Sequence, residues 1–207
     1  MTDPVLSRRR FVRDASLFGG SVWLAAQLPW PRAARAAADS SASSVLAPPE
    51  WKTLEAITAR ILPTDHEPGA REAGCTNFID KALANEESAA RPLYQAGLRG
   101  VDAAARARFE RPFIELGEIE QDELLAALET GNAQGWPDDA GPSPSFFETV
   151  RVHTLIAFLA HPKYGGNRDY GGWRVTRYPG PRHHEGGYTP EQMTGAAKVK
   201  TVWGGEQ

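Results

Sequence analysis

From Trp51 onward the chain alternates apolar and polar positions with a helical period. Trp51, Leu54, Ile57 and Ile61 stand three and four residues apart, the stripe of an amphipathic helix, with Pro48 and Pro49 ahead of it and Pro63 as its stop. Thr64 to Gly69 reads as a loop. A second helix is predicted over 70–84, burying Ala73, Phe78, Ile79 and Leu83, and a third over the Ala- and Arg-rich stretch 91–113, with Tyr94, Leu98, Val101 and Phe109 at roughly helical spacing. A fourth spans 118–129, with Ile119, Leu124, Leu125 and Leu128 inward and Thr130-Gly131-Asn132 as its end. Residues 136–144 are rich in turn formers. Ser145 then opens the most apolar helix, 146–159, with Phe147, Val150, Leu155, Ile156, Phe158 and Leu159, and this helix is expected to be central to the core. No stretch shows the strict alternation of a half-buried strand, so the fold class is mostly α.

After His161-Pro162 the pattern changes. Residues 163–181 hold five Gly, two Pro, three Tyr and one Trp, a composition that excludes a helix and joins backbone freedom to large aromatic contact area. The stretch 182–207 is polar and without period, and is expected to be extended or to order only against a partner. The sequence thus describes a small helical domain, 50–181, with a long irregular Gly/aromatic C-terminal segment and a tail, 182–207.

The first 38 residues read as an address. Ser7-Arg8-Arg9-Arg10-Phe11 is a basic start, 15–28 a short apolar middle, and Ala33 to Ala38 a small-residue cleavage region that fits cutting after Ala36 or Ala38. Paired Arg8 and Arg9, with Ser7 before and Phe11 after, fit the twin-arginine signal of bacteria. The middle is weakly hydrophobic, carrying Gly19, Gly20, Ser21 and Gln27. Residues 39–49 form a small, polar linker. The expected location is therefore the periplasm, reached in the folded state.

Length and charge narrow the class. The 207 residues suit one domain of ordinary size, and 23 basic against 26 acidic residues give a net charge of −3. Losing residues 1–38 removes six Arg and two Asp, leaving 17 basic and 24 acidic residues, net −7. Such a chain has no electrostatic reason to bind nucleic acid or anionic lipid. One cysteine, Cys75, excludes an internal disulfide framework and a Cys-rich metal site. It reads as a buried small hydrophobe, or as a thiol that pairs with another chain.

The chemistry sought in the remaining residues does not form motifs. Gly97-Leu98-Arg99-Gly100 lacks the spacing and strand context of a dinucleotide loop, and no phosphate loop, haem attachment or serine elbow is present. His153 and His161 lie eight apart, too far for one ion on a straight helix. His161 with His183 and His184 is the remaining metal possibility, and would make the chain a free-standing periplasmic metal-dependent enzyme. Asp65, Glu67, Asp80 and Asp169 read as surface carboxylates. A signal for folded export without a cofactor motif fits a chain that escorts a cofactor-bearing partner.

Residues 160–167, Ala-His-Pro-Lys-Tyr-Gly-Gly-Asn, followed by Gly172-Trp173 and Tyr178-Pro179-Gly180, resemble the gluconate 2-dehydrogenase subunit 3 family. Ile61-Leu62-Pro63-Thr64-Asp65, Pro68-Gly69-Ala70, Ala73-Gly74, Phe78-Ile79-Asp80 and Glu120-Gln121 agree with it, so the likeness covers 51–181. Family members usually carry an apolar or uncharged residue where Arg177 stands. The resemblance implies a helical, non-catalytic small subunit bound to a large flavoprotein of the glucose–methanol–choline type, with FAD in that partner and no cofactor, catalytic residue or metal ligand in this chain. It further implies co-export through the twin-arginine translocase, and a membrane-bound multihaem cytochrome c as a third partner. By the same likeness Tyr164, Gly165, Gly166, Asn167, Trp173, Tyr178, Pro179 and Gly180 contact the large subunit or shape the loop that does. An internal packing loop is the alternative reading of those eight residues.

Overall fold

The computed structural model describes residues 44–182 and 186–206. The proposed export signal, with Ser7, Arg8, Arg9 and Phe11, lies outside the described residues, as do His183 and His184. Seven α-helices appear among the described residues: α1 Pro48–Ile61, α2 Cys75–Ala84, α3 Arg91–Phe109, α4 Glu118–Thr130, α5 Ser143–Leu159, α6 Gly171–Val175 and α7 Pro190–Met193. Strand pairing among them is limited to one antiparallel bridge, Lys200 with Glu206. The mostly α class read from the sequence is the observed one.

Helix α5 is the hub, packing against α1, α2, α3 and α4. Its buried stripe is Ser143, Phe146, Val150, Thr154 and Ala157, joined by Phe158. Phe146 sits where a Cβ on Gly97 would lie 2.1 Å from its ring, and Trp136 lies 2.9 Å from a Cβ on Gly100. The two glycines of α3 are therefore seats for aromatic rings rather than parts of a phosphate loop. Tyr94 of α3 is fully buried, and its hydroxyl pairs with His153 Nδ1 of α5 at 2.9 Å. Burial pushes the Tyr94 phenol up and the His153 imidazole down, so both are neutral near pH 7.

Charged groups fasten the outer helices. Arg60 of α1 donates to both Asp122 oxygens of α4 at 2.7 and 2.6 Å and reaches Glu118 at 2.9 Å. The Glu120 carboxylate accepts from the Gly117 amide at 2.8 Å, satisfying a donor at the start of α4, and is held by Arg111 at 2.7 Å.

Several boundaries differ from the sequence reading. Helix α1 starts at Pro48, because proline suits the first helical turn. Residues 44–46, placed in the linker, are ordered: Asp80, 6% exposed, accepts from the Val45 and Leu46 amides at 3.0 and 2.9 Å. Asp80 is thus a tether rather than a surface carboxylate. Helix α2 starts at Cys75, after Gly74 turns the chain at φ 71°, and α3 stops at Phe109, with Phe113 in a separate 3-10 turn. Helix α5 starts at Ser143, whose hydroxyl donates to the Leu128 carbonyl at 3.0 Å.

Ile119, expected inward, is 77% exposed. The inward stripe of α4 is Gln121, Leu124, Leu125 and Leu128, and a residue two positions before Gln121 falls on the opposite side. In α5, Leu159 is 38% exposed, and Phe147, Leu155 and Ile156 are only half-buried.

Candidate functional site

The C-terminal end of α5 leaves its last carbonyls without helical partners, as every helix does. Residues 165–173 close over that end. Asn167, fully buried, donates from Nδ2 to the Ala160 carbonyl at 2.8 Å and accepts on Oδ1 from the Gly172 amide at 2.9 Å. Trp173, 5% exposed, donates from Nε1 to the Leu159 carbonyl at 2.7 Å.

The glycines between them allow the approach. A Cβ on Gly166 would lie 2.3 Å from the Ala157 carbonyl oxygen, and one on Gly172 would lie 1.8 Å from that of Phe158. No side chain fits at either place. Four successive carbonyls, 157 to 160, are thus met by two close glycine backbones and two side-chain donors.

A second set of bonds joins the same loop to the start of α2. The Asn77 Nδ2 donates to the Gly165 carbonyl at 2.7 Å, and the Arg168 amide donates to the Ala73 carbonyl at 3.0 Å. Asn167, Asp169, Tyr170 and Arg177 all have positive φ, between 45° and 58°. That many left-handed non-glycine residues in eleven positions mark a loop held in place by its surroundings.

Trp173 centres an aromatic cluster. Its ring lies 5.6 Å from His161, 5.5 Å from Tyr170 and 5.1 Å from Tyr178, and Tyr170 lies 6.0 Å from Trp203 of the tail. Edge-on arrangements at His161 and Tyr178 suit the ring quadrupole. His161 Nδ1 accepts from the Lys163 amide at 3.2 Å. Partial burial and the Lys163 charge push its imidazole down, so it is neutral near pH 7.

The described part of the tail folds back on this cluster instead of running extended. The Val202 amide donates to the Pro179 carbonyl at 2.9 Å. The Val202 side chain fills the space beside Gly180, whose carbonyl accepts from the Tyr188 hydroxyl. Arg182 donates to the Lys200 carbonyl at 3.1 Å, and Val199 and Thr201 are buried. Segment 163–181 also holds the five-residue helix α6, which the glycine content had argued against. Gly172 sits in its first turn, where a missing Cβ lets the turn rest on α5.

The eight residues singled out from the sequence therefore divide. Gly166, Asn167, Trp173 and Gly180 are buried and shape the loop. Tyr164, Gly165 and Pro179 are half-buried, and Tyr178 is 39% exposed. Of the eight, Tyr164, Gly165, Pro179 and Tyr178 alone present surface. Pro179 and Gly180 already have this chain's own tail as neighbour.

Other candidates are dispersed. Asp65 is bound into its own turn through the Glu67 amide at 2.8 Å, and Asp169 is exposed. Cys75 is fully buried, with burial alone pushing its thiol up to about 12. Among the described residues no three His, Cys, Asp or Glu side chains converge on a possible metal position.

One feature escaped the sequence reading because only whole-chain charge was counted. Residues 44–162 carry ten basic and nineteen acidic side chains, net −9, whereas 163–182 carry Lys163, Arg168, Arg174, Arg177 and Arg182 against Asp169 alone, net +4. A charge count in windows reveals it.

The model of the family described as gluconate 2-dehydrogenase subunit 3 matches residues 48–180, and the chain belongs to that family. No curated protein and no solved structure matches it.

Proposed function

We propose that this chain is the non-catalytic small subunit of a periplasmic dehydrogenase whose catalytic subunit is an FAD-dependent flavoprotein of the glucose–methanol–choline type acting on a sugar or sugar acid. In this reading it binds and stabilises the flavoprotein and carries it, folded, through the twin-arginine route. The flavin belongs to the partner, and this chain's side chains move no proton or hydride. A membrane-bound multihaem cytochrome c is the third partner that the reading allows.

The observation that carries the proposal is the family match over 48–180, which spans the helical body and the whole built loop at the end of α5. A loop whose buried polar groups are paired and whose rings interlock is a pre-formed surface, the kind that binds without paying heavily in ordering entropy. The obligate interfaces expected of such subunits are large and centred on aromatic anchors.

Affinity purification of the full-length chain from its native cell tests this. Stoichiometric recovery of a flavoprotein that oxidises a sugar or sugar acid is the expected result. A colourless chain recovered alone from the periplasmic fraction, under gentle conditions, would overturn the proposal.

A further inference from the structure

We propose that the basic loop surface on residues 163–177, with Tyr178 and Leu159 beside it, docks on an acidic face of the catalytic subunit. The inference rests on the reading of this chain as an accessory subunit, and adds where and by what chemistry the two associate.

The cations concentrated in this segment of the sequence reach the surface of the fold. Lys163, Arg168, Arg174 and Arg177 are all exposed, on a segment of net charge +4 attached to a body of net charge −9. Lys81 of α2 joins them: a Cβ on Gly165 would lie 3.2 Å from its Nζ, and one on Gly74 would lie 3.2 Å from Arg168 Nη2. Both cations therefore border the same stretch of backbone. Lys163 lies over the Tyr164 ring at 4.9 Å and Arg174 over Trp203 at 5.9 Å, so cation and aromatic surface are interleaved. Leu159 and Tyr178, 38% and 39% exposed, both adjoin buried Trp173, through the bond from its Nε1 to the Leu159 carbonyl and the ring contact with Tyr178. They add exposed apolar surface to the charged loop, and protein interfaces combine the two.

The charge pattern chooses the occupant. An extended anionic surface, a bilayer or a nucleic acid, would meet the acidic body as well as the basic loop and be repelled by it. A folded protein with a local acidic face meets the loop alone. Complementary charge of this kind acts mainly on the rate and orientation of encounter.

The test measures association of the full-length chain with the purified flavoprotein subunit between roughly 0.01 and 1 M salt, over which the screening length falls from about 30 to about 3 Å. Lys163→Glu with Arg168→Glu is compared with Arg99→Glu and Arg106→Glu, an equal change of charge on exposed positions of α3. The milder Lys163→Gln with Arg168→Gln guards against misfolding, and circular dichroism of each variant checks it. Expected is an association rate lowered at low salt by at least about tenfold in the loop reversal, less in the glutamine pair, with the α3 pair near wild type.

Equal rates for loop and α3 variants would overturn this inference and leave the accessory role standing. No association of the wild-type chain at any salt would overturn both. Loop-dependent binding to vesicles containing phosphatidylglycerol, or salt-sensitive self-association by light scattering, with the flavoprotein rate unchanged, would overturn it in favour of a membrane or a second copy.

Discussion

Replacing Asn167 by Ala and by Gly separates the hydrogen bonds of the loop from its backbone conformation. Asn167 is fully buried at φ 45°, and its side chain joins the Ala160 carbonyl to the Gly172 amide. Alanine leaves both groups without their partner, at about 1–3 kcal/mol each. It must also hold a left-handed backbone without the local hydrogen bonding that lets Asn do so, a further 1 kcal/mol or so. The sum is roughly 3–7 kcal/mol, a large share of the ~5–15 kcal/mol that holds a domain together. Glycine loses the same two bonds but adopts positive φ freely. Its greater freedom in the unfolded chain offsets part of that gain, so it should be milder than alanine by about 0.5 kcal/mol or less.

The loop can also detach locally before the helices melt. Urea unfolding followed by circular dichroism should therefore be paired with hydrogen exchange at the Gly172 amide. Expected are reduced stability and lost protection at Gly172 in both variants, alanine being worse. An alanine variant within about 0.5 kcal/mol of wild type, with Gly172 still protected, would refute the reading of this loop as the cap of α5.

Other outcomes follow from the same geometry. Trp173→Phe should keep the aromatic cluster but lose the bond to the Leu159 carbonyl, lowering stability by about 1–2 kcal/mol in urea titration, whereas Trp173→Ala should cost about 3–5 kcal/mol. Gly172→Ala places a Cβ 1.8 Å from a backbone oxygen, and should unseat α6, seen as lost amide protection over 171–175. Cys75, buried with its thiol pushed up to about 12, should resist iodoacetamide at pH 8 in the folded chain and react once unfolded, as mass spectrometry would show. His153 and His161 are both held below the ordinary histidine range. Their unfolded forms thus bind protons first as pH falls, so stability present above about pH 6.5 should decline below it. His153→Gln should flatten that slope in thermal melts.

Much of the helical body was legible because its stripes have polar backs. In α4 the spacing of Leu124, Leu125 and Leu128 sets the inward face, and the one error, Ile119, came from counting an apolar residue without asking whether it shares that face. Helix α5 carries apolar residues on every side with polar ones scattered among them, so its period names no inward side. The structure buries Phe146 and Thr154 and leaves Leu159 more than a third exposed. The Gly/aromatic segment was legible as special but not as a cap. Nothing local in Gly-Gly-Asn says that Asn167 faces the carbonyl seven residues earlier, since that pairing exists only once α5 ends at Leu159. The ordered tail was missed for a related reason: its anchors, Val199 and the adjacent Val202 and Trp203, are few apolar residues in a polar stretch, and show no period.

Burial of the motif changes what its mutants should report. If Asn167 and Trp173 touched the partner, their loss would weaken association and leave the free chain as stable as before. Because they are 0% and 5% exposed and bind the end of α5, their loss should destabilise the free chain and weaken association only through the loop's shape. Tyr178→Ala, at a residue 39% exposed, should do the reverse: slight loss of stability, with association weakened by about 1–2 kcal/mol, as for a truncated aromatic at an interface. Measuring both quantities for the three variants divides the residues that build the surface from those that present it. Tyr178→Ala that melts the chain as severely as Trp173→Ala would show that the aromatic cluster is one packed unit with no presenting member, and the interface would then have to be sought on the charged residues alone.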